Sequence, residues 1–221
     1  MAMKLHELHP SMIHAPLVLL PTAALVDFAA AGTRGTRLSR TGATLWTLGA
    51  GAGLLAGLAG MAASQEVKAD DKAVDDAMWL HGIGNLGLVV AAASMALFRM
   101  RRRPSVTSAV IGLAASGASI YTAYLGGELV YGSGVGVKSM SERAQAGVKP
   151  GVPDVLSAQA PGRFLRDALQ GFTWLVRRAA ALISGEQPFE RKALTLGEEQ
   201  GTSVQLQPAQ EALPIPPSTY R

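Results

Sequence analysis

The chain contains no cysteine. That excludes disulfides, thiolate zinc sites, cysteine-ligated iron–sulfur clusters and the C-x-x-C-H attachment of c-type haem. Any metal must be held by histidine, carboxylate, methionine or backbone oxygen. Charge is also scarce: 16% of residues are Asp, Glu, Lys or Arg against 48% hydrophobic, and mean hydropathy is positive at +0.22. This balance is uncommon in soluble domains and ordinary in small membrane proteins with polar appendages. No phosphate loop, Ser/His/Asp arrangement or dinucleotide fingerprint is present. The formal charge of +4 is an arginine excess. In a membrane protein that is a topology signal, so no nucleic-acid partner is expected.

What the chain does have is four apolar stretches, each long enough for the roughly 20 helical residues that cross a bilayer. They run over about 10–31, 43–63, 78–98 and 105–127. The expected fold is all-α: an integral membrane up-down four-helix bundle over residues 1–138. Pro10 suits a first helical turn, whereas Pro16 and Pro21 fall inside the first span and predict a kink there. The 1–2 loop carries Arg34, Arg37 and Arg40 and no acid, and the 3–4 loop carries Arg99, Arg101, Arg102 and Arg103 and no acid. The 2–3 loop instead offsets Lys68 and Lys72 with Glu66, Asp70, Asp71, Asp75 and Asp76. The positive-inside rule then gives an N-out/C-out protein of the bacterial inner membrane. Lys4 is a thin basic region before a long, proline-interrupted apolar run, so no cleavable signal peptide is expected.

Beyond the spans, a Gly-rich exit leads to a linker over 139–160. Residues 161–185 read as an amphipathic helix, with Phe164, Leu165, Leu169, Phe172 and Leu175 at helical spacing and Arg163, Arg166, Arg177 and Arg178 available for a polar side. It would lie in the outer interface or pack on a partner protein. Residues 186–221 read as an extended or partner-bound tail.

All four histidines, His6, His9, His14 and His81, fall at the outer end of this topology. His14 and His81 each lie about one turn inside parallel spans and share a depth. Diagonal helices of a bundle stand roughly 13 Å apart, a gap that two imidazoles and a porphyrin fill. The spacing therefore permits a bis-His b-type haem on His14 and His81. His9 is about 140° round the helix from His14 and cannot point the same way. Asn85, one turn past His81, would orient a ligand. The alternatives are a non-haem metal on His14 and His81 with His9 or His6 joining and Glu128 or Glu7 supplying oxygen, or histidines that only satisfy interface and bundle hydrogen bonds.

Asp27 sits some 20 Å deeper than His14, near Arg34, Arg37 and Arg40. It is one station of a proton path or, the simpler reading, half of a salt bridge. Gly49, Gly53 and Gly57 form a small-residue ridge on the second span, with Gly82, Gly84 and Gly87 on the third; close helix packing explains both. Trp79, Tyr121, Tyr124 and Tyr131 read as an outer aromatic belt and Trp46 as an inner one. The acidic stretch 64–77 could steer a basic soluble partner, although most charge runs are solvated surface.

Three motifs, LHPSMIHAPLVLLPTAALVD, HGIGN and AYLGGELVYGSGVGVK, together resemble a bacterial membrane family, domain of unknown function 2231, over about residues 5–138. The resemblance marks His9, His14, Asp27, His81, Gly126, Gly127 and Gly136. It implies a four-helix membrane domain without an assigned activity, whose relatives are joined to Rieske-type or cytochrome c domains. Redox work is therefore suggested, and a cysteine-free chain would need its electron partner on another polypeptide. The resulting expectation is a redox-linked subunit passing electrons to an outer-face partner through residues 139–221 and 64–77, not a free-standing enzyme. The rivals are a cofactor-free structural subunit and a metal- or quinone-binding membrane protein.

Overall fold

The computed structural model describes residues 3–33, 36–69, 71–136 and 147–194. Among these residues every regular element is helical. After a 3-10 turn over Leu5–Glu7, the first span is divided into α1 (Leu8–Met12) and α2 (His14–Ala31). The interruption has a local cause. Pro16 has no N–H for the carbonyl of Met12, four residues back, and its ring crowds that carbonyl. The helix breaks at Ile13 and resumes, while Pro21 is carried inside α2.

Three long helices follow: α3 (Thr36–Glu66), α4 (Lys72–Arg101) and α5 (Val106–Gly127). Asp71 caps α4 by accepting from Ala73 N–H at 2.8 Å. Ser105 and Ser108 cap α5 reciprocally, which satisfies two of the orphan donors of that end. The last turn of α5 widens into a π segment, Glu128–Gly132. α2 packs on α3 and α5, and α4 packs on the same two, so the four close a bundle with α2 and α4 on one diagonal. The four candidate spans are Leu5–Ala31, Thr36–Glu66, Lys72–Arg101 and Val106–Gly132.

The interior of this bundle is built from small residues. Ala23, Ala24, Ala59 and Ala77 are at most 1% exposed, while Leu25, Leu97 and Ile120 are 60% or more exposed. A water-soluble bundle would place those large side chains inside. Here the interior favours close backbone approach and the periphery favours hydrocarbon, which is how helices pack in lipid. Gly49 shows the close approach directly, since a Cβ there would come within 2.6 Å of Leu20. The glycine ridge of α3 therefore faces α2 and α4 as a packing surface.

The sixth helix, α6 (Ala160–Ile183), lies against α3 and α4. It is strongly amphipathic, but its inner face is not the apolar one that spacing suggested. Asp167, Ala168, Gly171, Leu175 and Arg178 are buried, whereas Leu165, Leu169 and Phe172 are exposed. The charges are inside because they have partners there, as described next. Most of the tail, residues 195–221, lies outside the described residues, as do 137–146 of the exit and linker.

Candidate functional site

The histidine end of the bundle brings together His9, His81 and Asn85. His9 projects from α1 and donates from Nδ1 to the carbonyl of Ala56 on α3 at 2.9 Å. His81 projects from α4 and donates from Nδ1 to the carbonyl of Thr122 on α5 at 2.8 Å. A carbonyl only accepts, so each ring carries its proton on Nδ1 and keeps a lone pair on Nε2. The two rings meet edge-to-face with centroids 6.1 Å apart.

Both contacts use the same device. Ala56 and Thr122 are helical, so their carbonyls already receive the amide four residues on, from Gly60 and Gly126. Because those residues are glycines, no side chain shields the carbonyl and an imidazole reaches it. A Cβ on Gly60 would stand 2.9 Å from His9 Nδ1, and one on Gly126 would stand 2.8 Å from His81 Cε1. Each helical hairpin thus contributes one histidine and one glycine. Asn85 completes the set: its Nδ2 donates to the His81 carbonyl at 2.8 Å and lies 3.2 Å from His81 Nε2, and its Oδ1 accepts from Thr122 Oγ1 at 3.2 Å.

His14, expected opposite His81, is not there. It opens α2 on an exposed face. His6 is buried in the turn before α1. Glu128 is half-buried at the start of the π segment, and Glu7 accepts from Lys4 N–H at 2.6 Å. Among the described residues no three His, Asp or Glu side chains converge on one point, so neither carboxylate joins the histidine pair as a third ligand.

At the opposite end Asp27 is buried in a different pairing from the one expected. Arg37 and Arg40 are exposed, and Arg34 lies outside the described residues. The partner is Arg99, whose Nε donates to Asp27 Oδ2 at 2.7 Å. Trp46 Nε1–H donates to the same oxygen at 2.9 Å. Arg99 also donates to the Ser39 carbonyl at 2.7 Å and to the carbonyl of Arg102. The group ties α2, α3 and α4 together, so Asp27 is half of a salt bridge, and Trp46 is a buried donor instead of a belt residue. Arg99 was within reach of sequence reasoning, since an up-down bundle places both arginine loops at one end.

Within the stretch 64–77 two acids, Glu66 and Asp76, are turned inward, whereas Asp71 is exposed. Glu66 and Asp76 are at most 1% exposed. Asp76 accepts from Lys72 Nζ at 2.6 Å, from the Glu190 amide at 2.9 Å and from the Arg178 guanidinium of α6. Arg163 Nε lies 2.5 Å from Asp167 and 3.7 Å from Glu66. Trp79, expected in the aromatic belt, is buried and donates from Nε1 to the Leu175 carbonyl at 3.1 Å. These residues look like loop or interface in the sequence because nothing local reveals that α6, nearly a hundred residues later, covers them.

No curated protein and no solved structure matches the chain. Residues 5–139, more than half of the chain, match the family described as "Predicted membrane protein (DUF2231)", and the chain belongs to that family.

Proposed function

We propose that this domain is a redox-linked subunit of the bacterial inner membrane that holds a transition metal between His9 and His81, in the first place as the iron of a b-type haem. The carrying observation is the paired anchoring. Both imidazoles are fixed through Nδ1 to backbone carbonyls, and both keep Nε2 as a donor atom with ring centroids 6.1 Å apart. An outer hydrogen bond that sets tautomer and ring orientation is how metal-ligating histidines are held.

His9 and His81 would be the residues that hold the haem iron, and no third His, Asp or Glu joins them among the described residues. When bound, such a group supplies one-electron exchange. The chain's own part is to hold and orient it: His9 and His81 as ligands, the Ala56 and Thr122 carbonyls as anchors, and Asn85 as the group that a ligand on His81 Nε2 displaces. A bare ion is the second reading. It is favoured by the fit of both rings against Gly60 and Gly126, because the flat body of a porphyrin needs the helix ends to part around the pair.

The arginine-rich end, with Arg37, Arg40 and Arg99–Arg103, is assigned to the cytoplasm by the positive-inside rule. The histidine pair and both termini then face the periplasmic side, where a separate redox protein would dock.

A reduced-minus-oxidised absorption spectrum of detergent-purified, haem-supplied protein tests this, together with metal analysis. Haem gives split α/β bands and a Soret shift that vanish in His9→Ala and in His81→Ala and persist in His14→Ala. A bare ion gives a flat spectrum with retained metal, lost in the same two variants. A flat spectrum without retained metal overturns both readings and leaves a cofactor-free structural subunit.

A further inference from the structure

α6 crosses the histidine end of the bundle instead of running down it. Arg163 reaches Glu66, the last residue of α3, and Gly171 rests on the carbonyl of Met61. Further along, Leu175 meets Trp79 and Gly82, and Arg178 meets Asp76. A helix following α3 inward would be some 10 Å deeper at Arg178 than at Gly171. Arg178 instead meets Asp76 in the second turn of α4. The helix therefore lies across two spans at the depth where their apolar segments begin.

Around its own axis α6 has three faces, at about 100° per residue. The first, with Asp167, Gly171, Leu175 and Arg178, is buried against α3 and α4. The second is an exposed apolar stripe. Leu165, Leu169, Phe172, Val176 and Ile183 are between 45% and 88% exposed and fall within roughly 60° of one another. The third adjoins the stripe about 100° further round and presents exposed Arg166, Gln170, Thr173 and Arg177. Arg166, which also pairs with Asp167 at 3.2 Å, and Arg177 line an open groove there with Trp174, Asp75 and Glu186.

We propose that α6 is an in-plane membrane helix that binds anionic phospholipid. Its stripe enters the headgroup–acyl boundary, and Arg166 and Arg177 meet the lipid phosphates. Three observations favour lipid over a protein partner. The stripe lies near the level of Thr122, which bonds His81, where α5 exposes Tyr121 and Tyr124, the aromatic residues of a headgroup boundary. The arginines stand beside the stripe, as in interfacial helices. The buried ion pairs fix the helix in the one orientation that turns the stripe outward. This inference does not depend on what the histidines bind.

The chain has no cysteine, so single Leu165→Cys, Leu169→Cys, Phe172→Cys and Val176→Cys substitutions in the full-length protein can each carry a nitroxide. Gln170→Cys and Thr173→Cys serve as references. In vesicles of phosphatidylethanolamine and phosphatidylglycerol, the first four sites should show a severalfold higher ratio of collision with oxygen to collision with a water-soluble nickel chelate than the references. That contrast should shrink in purely zwitterionic vesicles, and in the Arg166→Gln/Arg177→Gln variant labelled at Leu169→Cys. High nickel access at the four sites would overturn the proposal by showing the stripe in water. Exclusion of both reagents would overturn it by showing a protein cover. Equal immersion with and without phosphatidylglycerol would overturn the anionic requirement.

Discussion

Arg99 Nε lies 2.7 Å from Asp27 Oδ2, with both side chains 1% exposed and 72 positions apart in sequence. A charge this deep is tolerable only while its partner stands beside it. Removing one partner of a buried pair typically costs about 3–5 kcal/mol, whereas removing both costs much less. Asp27→Ala and Arg99→Ala should each lower thermal stability in detergent strongly, and the double variant should recover most of the loss. Additive losses would show that the two residues act separately.

Trp46 contributes to the same oxygen through one neutral N–H. Trp46→Phe keeps an aromatic ring in a site where the neighbours are small alanines, and removes the donor. The expected cost is about 1.5–3 kcal/mol, that of one hydrogen bond to a charged group, measured by the same melts. A cost as large as that of Asp27→Ala would mean that ring packing is what matters.

The histidine pair depends on two glycines. A methyl on Gly60 or on Gly126 would press within 3.0 Å of an imidazole, so Gly60→Ala should push His9 off the Ala56 carbonyl and Gly126→Ala should push His81 off that of Thr122. Each substitution overpacks a tight site at about 1–3 kcal/mol. Each should also weaken retention of any metal or haem on the pair. Gly51→Ala, where a Cβ meets nothing within 4 Å, is the control and should change neither. If Gly60→Ala and Gly126→Ala behave like Gly51→Ala, the rings are not held as described.

The class and the four spans are legible in the sequence because hydropathy needs only composition summed over about 20 residues. Side-chain pairing needs partners that composition does not name. His9 and His14 lie on different sides of one helix, but periodicity does not say which side faces inward. The break that Pro16 imposes at Ile13 and the bare carbonyl above Gly60 decide it in favour of His9. A glycine four residues after a carbonyl reads as packing until something is seen to reach that carbonyl. Asp27 advertises the need for a cation, but several arginines lie at its end of the bundle, and only Arg99 is buried with it. Glu66 and Asp76 read as surface because the helix that covers them is distant in sequence and binds through charge, the opposite of what an apolar periodicity suggests.

The attachment of α6 concentrates on Asp76. This carboxylate is 1% exposed and accepts from Lys72, from the Glu190 amide and from Arg178 of α6. Replacing it by asparagine keeps the shape but removes the charge that balances a buried guanidinium, so Arg178 is left against an amide that carries both donor and acceptor. Charge-assisted hydrogen bonds contribute about 1.5–3 kcal/mol each. Asp76→Asn should therefore loosen α6 while the four spans, which pack through alanine and glycine, stay closed. Hydrogen exchange of the full-length protein in detergent checks this. Amides of 163–183 should exchange faster in Asp76→Asn, and those of 85–95 on α4 should not. Acceleration of both segments together would show that α6 is part of the bundle's own stability, and no acceleration would show that Gly171 on Met61 and Trp79 on Leu175 hold the helix without the ion pair.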